Sequence, residues 1–246
     1  MKELLFVALW AAATLATAAE TTVAVAANFT APMQKIASAF ERDTGHKAIL
    51  AFGATGKFYA QIRNGAPLQV LLAADDATPA RLENEGAAVA GSRFTYATGS
   101  LVLWSAQADT VDARGEVLRK DTTAKLAIAD PKLAPYGAAA IETLAKLGLL
   151  AAWQPRTVQA ESIAQAYQFA ASGNAALGFV ALSQVMRDGR ISAGSAWVVP
   201  PGLHAPLRQD AVLLAAGRGN PAATALLAYL RGDAARAVMR GYGYTY

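Results

Sequence analysis

The chain has no cysteine, which excludes a disulfide scaffold, a thiolate metal site and a cysteine nucleophile. Its two histidines, His46 and His204, have neither metal-ligand spacing nor a serine-elbow motif nearby, and both read as surface or loop residues. No internal run is long and apolar enough to span a bilayer, so a soluble mature protein is expected. No repeat period, coiled-coil register or low-complexity tract is present. The formal net charge is +4 and the isoelectric point about 9.4, but the surplus is spread along the chain. There is no basic stripe with interleaved aromatics, so no nucleic-acid partner is expected. A mild positive field helps the capture of a small anion, which concerns rate and not specificity.

What is present is apolar and alternating. The hydrophobic fraction is 54% of 246 residues, enough for one large or two modest α/β domains. The N-terminus reads as an export signal. Lys2 supplies a weak n-region beside an atypical Glu3, Leu4 to Leu15 form a short apolar core, and Ala16-Thr17-Ala18 fits the small-residue cleavage pattern. Residues 1–19 are therefore expected to be removed, with cleavage after Ala18 or Ala19; the alternative is a buried N-terminal helix.

Beyond it, the pattern predicts strands over 22–26, 47–52, 68–73, 101–105, 125–129, 176–180 and 210–215. Helices fall between them, with start and stop signals such as Pro32, Thr78-Pro79, Gly86, Gly148 and Asn220-Pro221. The βαβα order argues for parallel-rich sheets covered by helices. Crossovers at 99–104 and 209–214 would make the middle of the chain an inserted lobe. That gives 20–100 with 209–246 as lobe I and 101–208 as lobe II. Ligands in open α/β sheets bind outside the strand carboxyl ends, which here face the cleft.

Four polar turns join a strand-like run to a helix start. They are Ala26-Ala27-Asn28-Phe29, Phe52-Gly53-Ala54-Thr55-Gly56, Ala134-Pro135-Tyr136-Gly137 and Ala160-Glu161-Ser162-Ile163. Helix N-termini carry unpaired N–H groups and the positive end of the helix dipole. Four aimed at one point would hold an oxyanion without a charged side chain. Each turn also has an ordinary reading. Asn28 is an amide donor or an Asx turn; Thr55 is an anion contact or an N-cap. Tyr136 offers its amide to a cleft and its ring as a cover, or is a surface aromatic packed on Pro135. Ser162 to Gln165 is fully explained as a capping box. The segment ending Gly56-Lys57 fails as a P-loop, because Ala51 stands where its first glycine belongs and Phe58 where a Ser or Thr should follow the lysine. Asp75-Asp76 point to opposite faces if extended, so they read as a solvated helix entry or hinge contact. No nucleophile, base and oxyanion set assembles, and the chain is not expected to be an enzyme.

Together these pieces resemble the ModA family of periplasmic molybdate-binding proteins of ABC transporters. The resemblance rests on Val25-Ala26-Ala27-Asn28-Phe29, Gly53-Ala54-Thr55-Gly56 with Gln61-Ile62-Arg63-Asn64-Gly65-Ala66-Pro67, and Ala73-Ala74-Asp75. It continues through Gly99-Ser100-Leu101-Val102-Leu103-Trp104, Ala129-Asp130-Pro131 with Ala134-Pro135-Tyr136-Gly137, Leu177-Gly178-Phe179-Val180 and Gly241-Tyr242-Gly243-Tyr244. It implies a type II periplasmic-binding fold, an α/β fold of two lobes with a hinged ligand cleft. It further implies a periplasmic monomer without a cofactor, a molybdate or tungstate dianion as ligand, and a membrane permease as partner. Carried over by position, the anion contacts fall on Asn28 with Ala27 beside it, on Thr55, and on the amides of Tyr136 and Ile163, with no bare metal cation. Sulfate or chromate is the alternative ligand, and an exported enzyme on the same scaffold the more distant one. Three features depart from the pattern. Many members have serine at the positions of Asn28 and Thr55. Many place an anion-touching tyrosine where Ala181 stands, so this chain is similar to a subgroup that uses Asn and Tyr instead. Lys57 is either an exposed lysine or a cation that tunes capture.

Overall fold

The computed structural model describes residues 18–120 and 123–246; residues 1–17 of the expected export signal lie outside the described residues. The first sheet holds β1 (Glu20–Ala26), β2 (Lys47–Gly53), β3 (Val70–Leu72), β4 (Phe94–Gly99) and β12 (Leu207–Leu213), in the order β2-β1-β3-β12-β4. The second holds β5 (Leu101–Ser105), β6 (Leu126–Ala129), β7 (Thr157–Ala160), β8 (Leu177–Ala181) and β11 (Ser195–Val198), in the order β11-β5-β8-β6-β7. A ribbon of β9 (Met186–Arg187) and β10 (Arg190–Ile191) completes the strands. Three strands in each sheet are parallel, as the βαβα pattern predicts. The strands next to the crossovers, β12 and β5, run antiparallel to their neighbours. They are chain entries and exits, not members of a βαβ unit.

Side chains on β1 sort by the period of two that an extended chain imposes. Val23 and Val25 join the core formed with α1 (Thr30–Thr44), α8 (Pro221–Leu230) and α9 (Asp233–Gly241). Ala24 faces the other way, towards α2 (Thr55–Arg63) and α3 (Ala77–Asn84), where Phe58, Leu82 and Val212 bury it. In the second sheet α4 (Pro135–Lys146), α5 (Leu150–Trp153) and α6 (Ile163–Ala171) supply the cover, with Trp153 and Leu144 fully buried. The helix after β1 runs to Thr44, about one turn beyond the end near Glu41 that the sequence suggests. It stops at Gly45, whose left-handed φ of 72° lets its N–H cap Glu41 O.

The chain crosses between sheets at Ser100, since β4 ends at Gly99 and β5 begins at Leu101. It returns at Leu207, which pairs with Gly99. The sequence puts the crossovers at 99–104 and 209–214. Unforeseen is an excursion of residues 182–191, which contains α7 (Leu182–Val185) and the β9–β10 ribbon. It leaves the second sheet and packs on the first half of the molecule, where Ser183 Oγ donates to Asn28 O at 2.7 Å. A Cβ on Gly243 would stand 2.7 Å from Leu182 Cδ2, so the C-terminal turn lies flat on this excursion.

Candidate anion-binding site

Strand register brings the helix starts together. In the first sheet Ala26 at the end of β1 stands opposite Gly53 at the end of β2. The two chains therefore leave the sheet side by side, one into the 3-10 turn Ala27–Phe29, the other into α2 at Thr55. The second sheet repeats this with Ala129 of β6 opposite Ala160 of β7, feeding α4 and α6. The two pairs of strand ends face one another across the junction. Between them lies a small cavity lined by Ala26, Ala27, Asn28, Gly53, Ala54, Thr55, Ala74, Ala134, Pro135, Tyr136 and Ile163. All five residues singled out in the sequence, Ala27, Asn28, Thr55, Tyr136 and Ile163, are in this lining, and no ionisable carboxylate or ammonium is.

The donors follow from local structure. The N–H groups of Thr55, Tyr136 and Ile163 find no acceptor among the described residues, as the first turns of helices dictate. Pro135, first residue of α4, has no N–H to offer, so Tyr136 supplies the first free donor there. Thr55 Oγ1 accepts from Ala74 N–H at 3.0 Å; its one proton is thereby left for the cavity. Glu161 N–H is held by Gln165 Oε1 at 2.7 Å and Ser162 Oγ accepts from Gln165 N–H at 3.4 Å. The capping chemistry expected from the sequence is present and still leaves Ile163 N–H free.

Asn28 is neither a cap nor an Asx turn. Its Nδ2 donates to Gln209 Oε1 at 2.8 Å and to Tyr244 OH at 2.9 Å. The Tyr136 ring neither covers the cavity from solvent nor sits on the surface. It is buried, and its OH accepts from Gln209 Nε2 at 3.0 Å. Ala181 ends β8 fully buried, donates its N–H to Gln184 Oε1 at 2.9 Å, and is not part of the lining. Gln209, Tyr244 and Tyr96 were missed at the sequence level, because each reaches the site from a distant segment with no local motif.

Lys57 is placed by a partner the sequence did not suggest. Its Nζ pairs with Glu161 Oε2 at 2.6 Å, linking the start of α2 to the entry of α6. Beside it Gly56 N–H donates to Leu133 O at 2.9 Å, a second bridge between the halves. Both ends of the ion pair are well solvated, so it contributes about 0.2–1 kcal/mol. Glu161→Gln is expected to raise the Kd of a captured anion by no more than about fivefold, and the difference should vanish at high salt. Titrations at low and high ionic strength check this.

The remaining polar candidates are structural. Asp75 caps α3 by accepting from Thr78 N–H at 2.7 Å. Burial pushes its carboxyl above the usual carboxylate range, against the pull of Thr78. Asp76 points away to Arg208 at 3.8 Å, so the two carboxylates do not share a site. His46 Nδ1 accepts from Ala19 N–H at 3.1 Å, and His204 Nδ1 lies 2.7 Å from Ala205 O. A larger, open hollow has Arg208, Arg231 and Arg236 on its walls and none of the five predicted residues.

Three buried tyrosines stand behind the cavity. Burial raises Tyr96 and Tyr136 well above the ordinary phenol range and pushes Tyr244 up to about 12. An unfolded tyrosine loses its proton near pH 10, where the native ones keep theirs. Native stability is therefore unaffected by this group below pH 10 and falls as pH rises from 10 towards 12, by about 3 kcal/mol for Tyr244. Urea unfolding at pH 9 and 11.5 is expected to show that fall. In Tyr244→Phe, less stable at pH 9, the fall should be shallower.

A model of the family described as bacterial extracellular solute-binding protein matches residues 21–245. The molybdate-binding protein ModA of Azotobacter vinelandii is 62% identical over 229 residues, 93% of this chain and 91% of that protein. The chain belongs to the ModA family of bacterial extracellular solute-binding proteins. The family's Rhodobacter capsulatus member, also a molybdate-binding protein ModA, is 51% identical over 93% of this chain and 89% of its own length. The solved structure of an Azotobacter vinelandii periplasmic molybdate-binding protein superposes with a TM-score of 0.89 at 40% identity, covering 92% of this chain and 99% of that one. The two-lobed α/β periplasmic-binding fold is thus shared with the family, which is one of solute-binding transport proteins and not of enzymes. Among the described residues no helix is long and apolar enough to cross a membrane.

Proposed function

We propose that this chain captures molybdate, and tungstate with it, in the cavity between its two halves and delivers the anion to the membrane permease of an ABC importer. The observation that carries the reading is the cavity lining: helix-start N–H groups and one hydroxyl, with no charged side chain. A fully ionised tetrahedral oxyanion only accepts hydrogen bonds, so a wall of donors suits it and carboxylates would repel it. Each charge-assisted hydrogen bond adds about 1.5–3 kcal/mol. Several together support submicromolar binding, which needs about 8 kcal/mol or more net. The contacts are Asn28 and Ala27 on one side, Thr55 beside them, and the Tyr136 and Ile163 amides opposite.

Residues 20–100 with 209–246 form one lobe in this reading, and 101–208 the other. They hinge at the paired crossovers near Gly99 and Leu207. An anion that touches both lobes favours the closed state by its differential affinity. The bridges Gly56–Leu133 and Lys57–Glu161 form on closure. No bond of the cargo is made or broken. The protein acts as a monomer in the periplasm after loss of residues 1–19. Sulfate has the same shape and charge but is smaller, and a rigid cavity leaves it with long bonds, so size discriminates.

Calorimetric titration of the anion-stripped mature protein tests this. Tight one-to-one binding of molybdate and tungstate, with sulfate silent, is the expected result. No heat with either of the first two would refute the ligand assignment.

A further inference from the structure

As oriented, the Asn28 side chain offers the cavity no free donor. Both protons of Asn28 Nδ2 are used, on Gln209 Oε1 and Tyr244 OH. Its Oδ1 is buried without a hydrogen-bond partner. Asn28 itself is only 2% exposed. A buried acceptor without a donor is costly, and beside a dianion it would oppose binding.

The network behind Asn28 can run in the opposite sense. Gln209, fully buried on β12, donates from Nε2 to Tyr136 OH, while its Oε1 also lies 3.0 Å from Tyr96 OH. Tyr96 OH in turn lies 3.0 Å from Ala73 O. The terminal torsions of Asn and Gln are broadly two-fold, and a half-turn exchanges amide oxygen and nitrogen. Turning Asn28 alone would set its oxygen against Gln209 Oε1. Turning both keeps the contacts among Asn28, Gln209, Tyr96 and Tyr136. Gln209 Nε2 then donates to Asn28 Oδ1 and Tyr96 OH, Tyr96 donates to Ala73 O, and Tyr136 OH donates to Gln209 Oε1. Tyr244 OH gives to Asn28 Oδ1 the proton it otherwise shares between Asn28 O and Ser183 Oγ, both at 3.0 Å. Asn28 Nδ2 now occupies the orphan's place with protons to spare.

We propose that Gln209 is a positioning residue that sets the amide orientation of Asn28, the two side chains turning together on anion capture so that Asn28 changes from acceptor to donor. The inference rests on the oxyanion reading of the cavity. It ties capture to closure, because Tyr136 reaches Gln209 from the second half of the molecule, whereas Asn28, Tyr96 and Tyr244 belong to the first.

The test is a double-mutant cycle in molybdate affinity with Asn28→Ala, Gln209→Met and both. Gln209→Met, which can neither donate nor accept as an amide does, is expected to raise the Kd about tenfold or more in the wild-type background and to change it little in Asn28→Ala. A merely structural Gln209 would cost affinity equally in both backgrounds, and that result overturns the proposal. Neutron diffraction from the perdeuterated wild-type protein, with and without molybdate, needs no variant to fold. It should show both amides reversed between the two states; unchanged orientations, or Asn28 turning alone, overturn the proposal. Failure of the wild type to bind molybdate at all would refute the underlying reading, and the proposal with it. Wild-type binding with equal losses in both backgrounds refutes only the role of Gln209.

Discussion

Thr55→Val is expected to weaken molybdate binding by about 10- to 100-fold while leaving the fold intact. Valine keeps the shape of threonine and removes the hydroxyl. The lost donor is a hydrogen bond to a charged group, about 1.5–3 kcal/mol, and each 1.4 kcal/mol is about tenfold in Kd. The same hydroxyl accepts from Ala74 N–H at 3.0 Å. Thr55 and Ala74 are 2% and 3% exposed, so no water replaces the acceptor, and stability should fall by about 1–3 kcal/mol. Thr55→Ser restores the hydroxyl and should return both quantities close to wild type. Calorimetry with molybdate and urea unfolding of the three proteins separate the two effects. If Thr55→Val loses stability but keeps its affinity, the hydroxyl serves Ala74 and not the anion.

Gly137→Ala is expected to cost more, on the order of 100-fold or greater in affinity together with about 3 kcal/mol of stability. A Cβ on Gly137 would lie 2.2 Å from Ala129 O, 2.8 Å from Ala129 C and 3.0 Å from Asp130 C. All three are backbone atoms, so no rotamer change relieves the contact. Ala129 ends β6 in the middle of the second sheet and cannot yield without opening it. The start of α4 must retreat instead, and Tyr136 N–H retreats with it, beyond the range in which an N–H holds an acceptor. The Tyr136 ring, held at its OH by Gln209, is dislodged in the same movement. Gly241→Ala is the control. That glycine closes α9 with nothing within 4 Å of the added Cβ, and the change should be neutral or stabilising by up to about 1 kcal/mol. Urea midpoints and molybdate affinities of both variants check the pair.

The sequence shows where donors come from better than what stands behind them. Asn28, Thr55, Tyr136 and Ile163 each follow a strand-like run and open a helix, and that grammar is local. Strand identity then suffices to bring their turns together, because Ala26 pairs with Gly53 and Ala129 with Ala160. Local grammar stops at partners set by tertiary packing. Asn28 reads as a cap, yet its amide bonds residues 181 and 216 positions away. Tyr136 reads as a surface ring beside Pro135, yet it is anchored by Gln209 across the junction. Lys57 reads as solvated, and it is, but its partner Glu161 is 104 residues distant and could not be foreseen. Strand β4 escaped notice for a related reason. Its Phe94-Thr95-Tyr96-Ala97-Thr98-Gly99 has no apolar run, and it is fixed by pairing with β12, with Asp210 bonding Thr95 and Arg93 at 2.7 and 2.6 Å. Short strand β7 begins with polar Thr157 and β11 lies at a sheet edge, so neither carries a strong alternation. The excursion of residues 182–191 is legible only from what it covers.

In this reading neutral donors at four aligned chain turns hold the anion. Anomalous diffraction at the molybdenum edge, from crystals of the mature protein grown with molybdate, tests it most directly. One molybdenum peak is expected in the cavity between α2, α4 and α6, with oxygens in hydrogen-bond range of Thr55 Oγ1 and of the Tyr136 and Ile163 amides. A peak among Arg208, Arg231 and Arg236 instead, with nothing in that cavity, would contradict it.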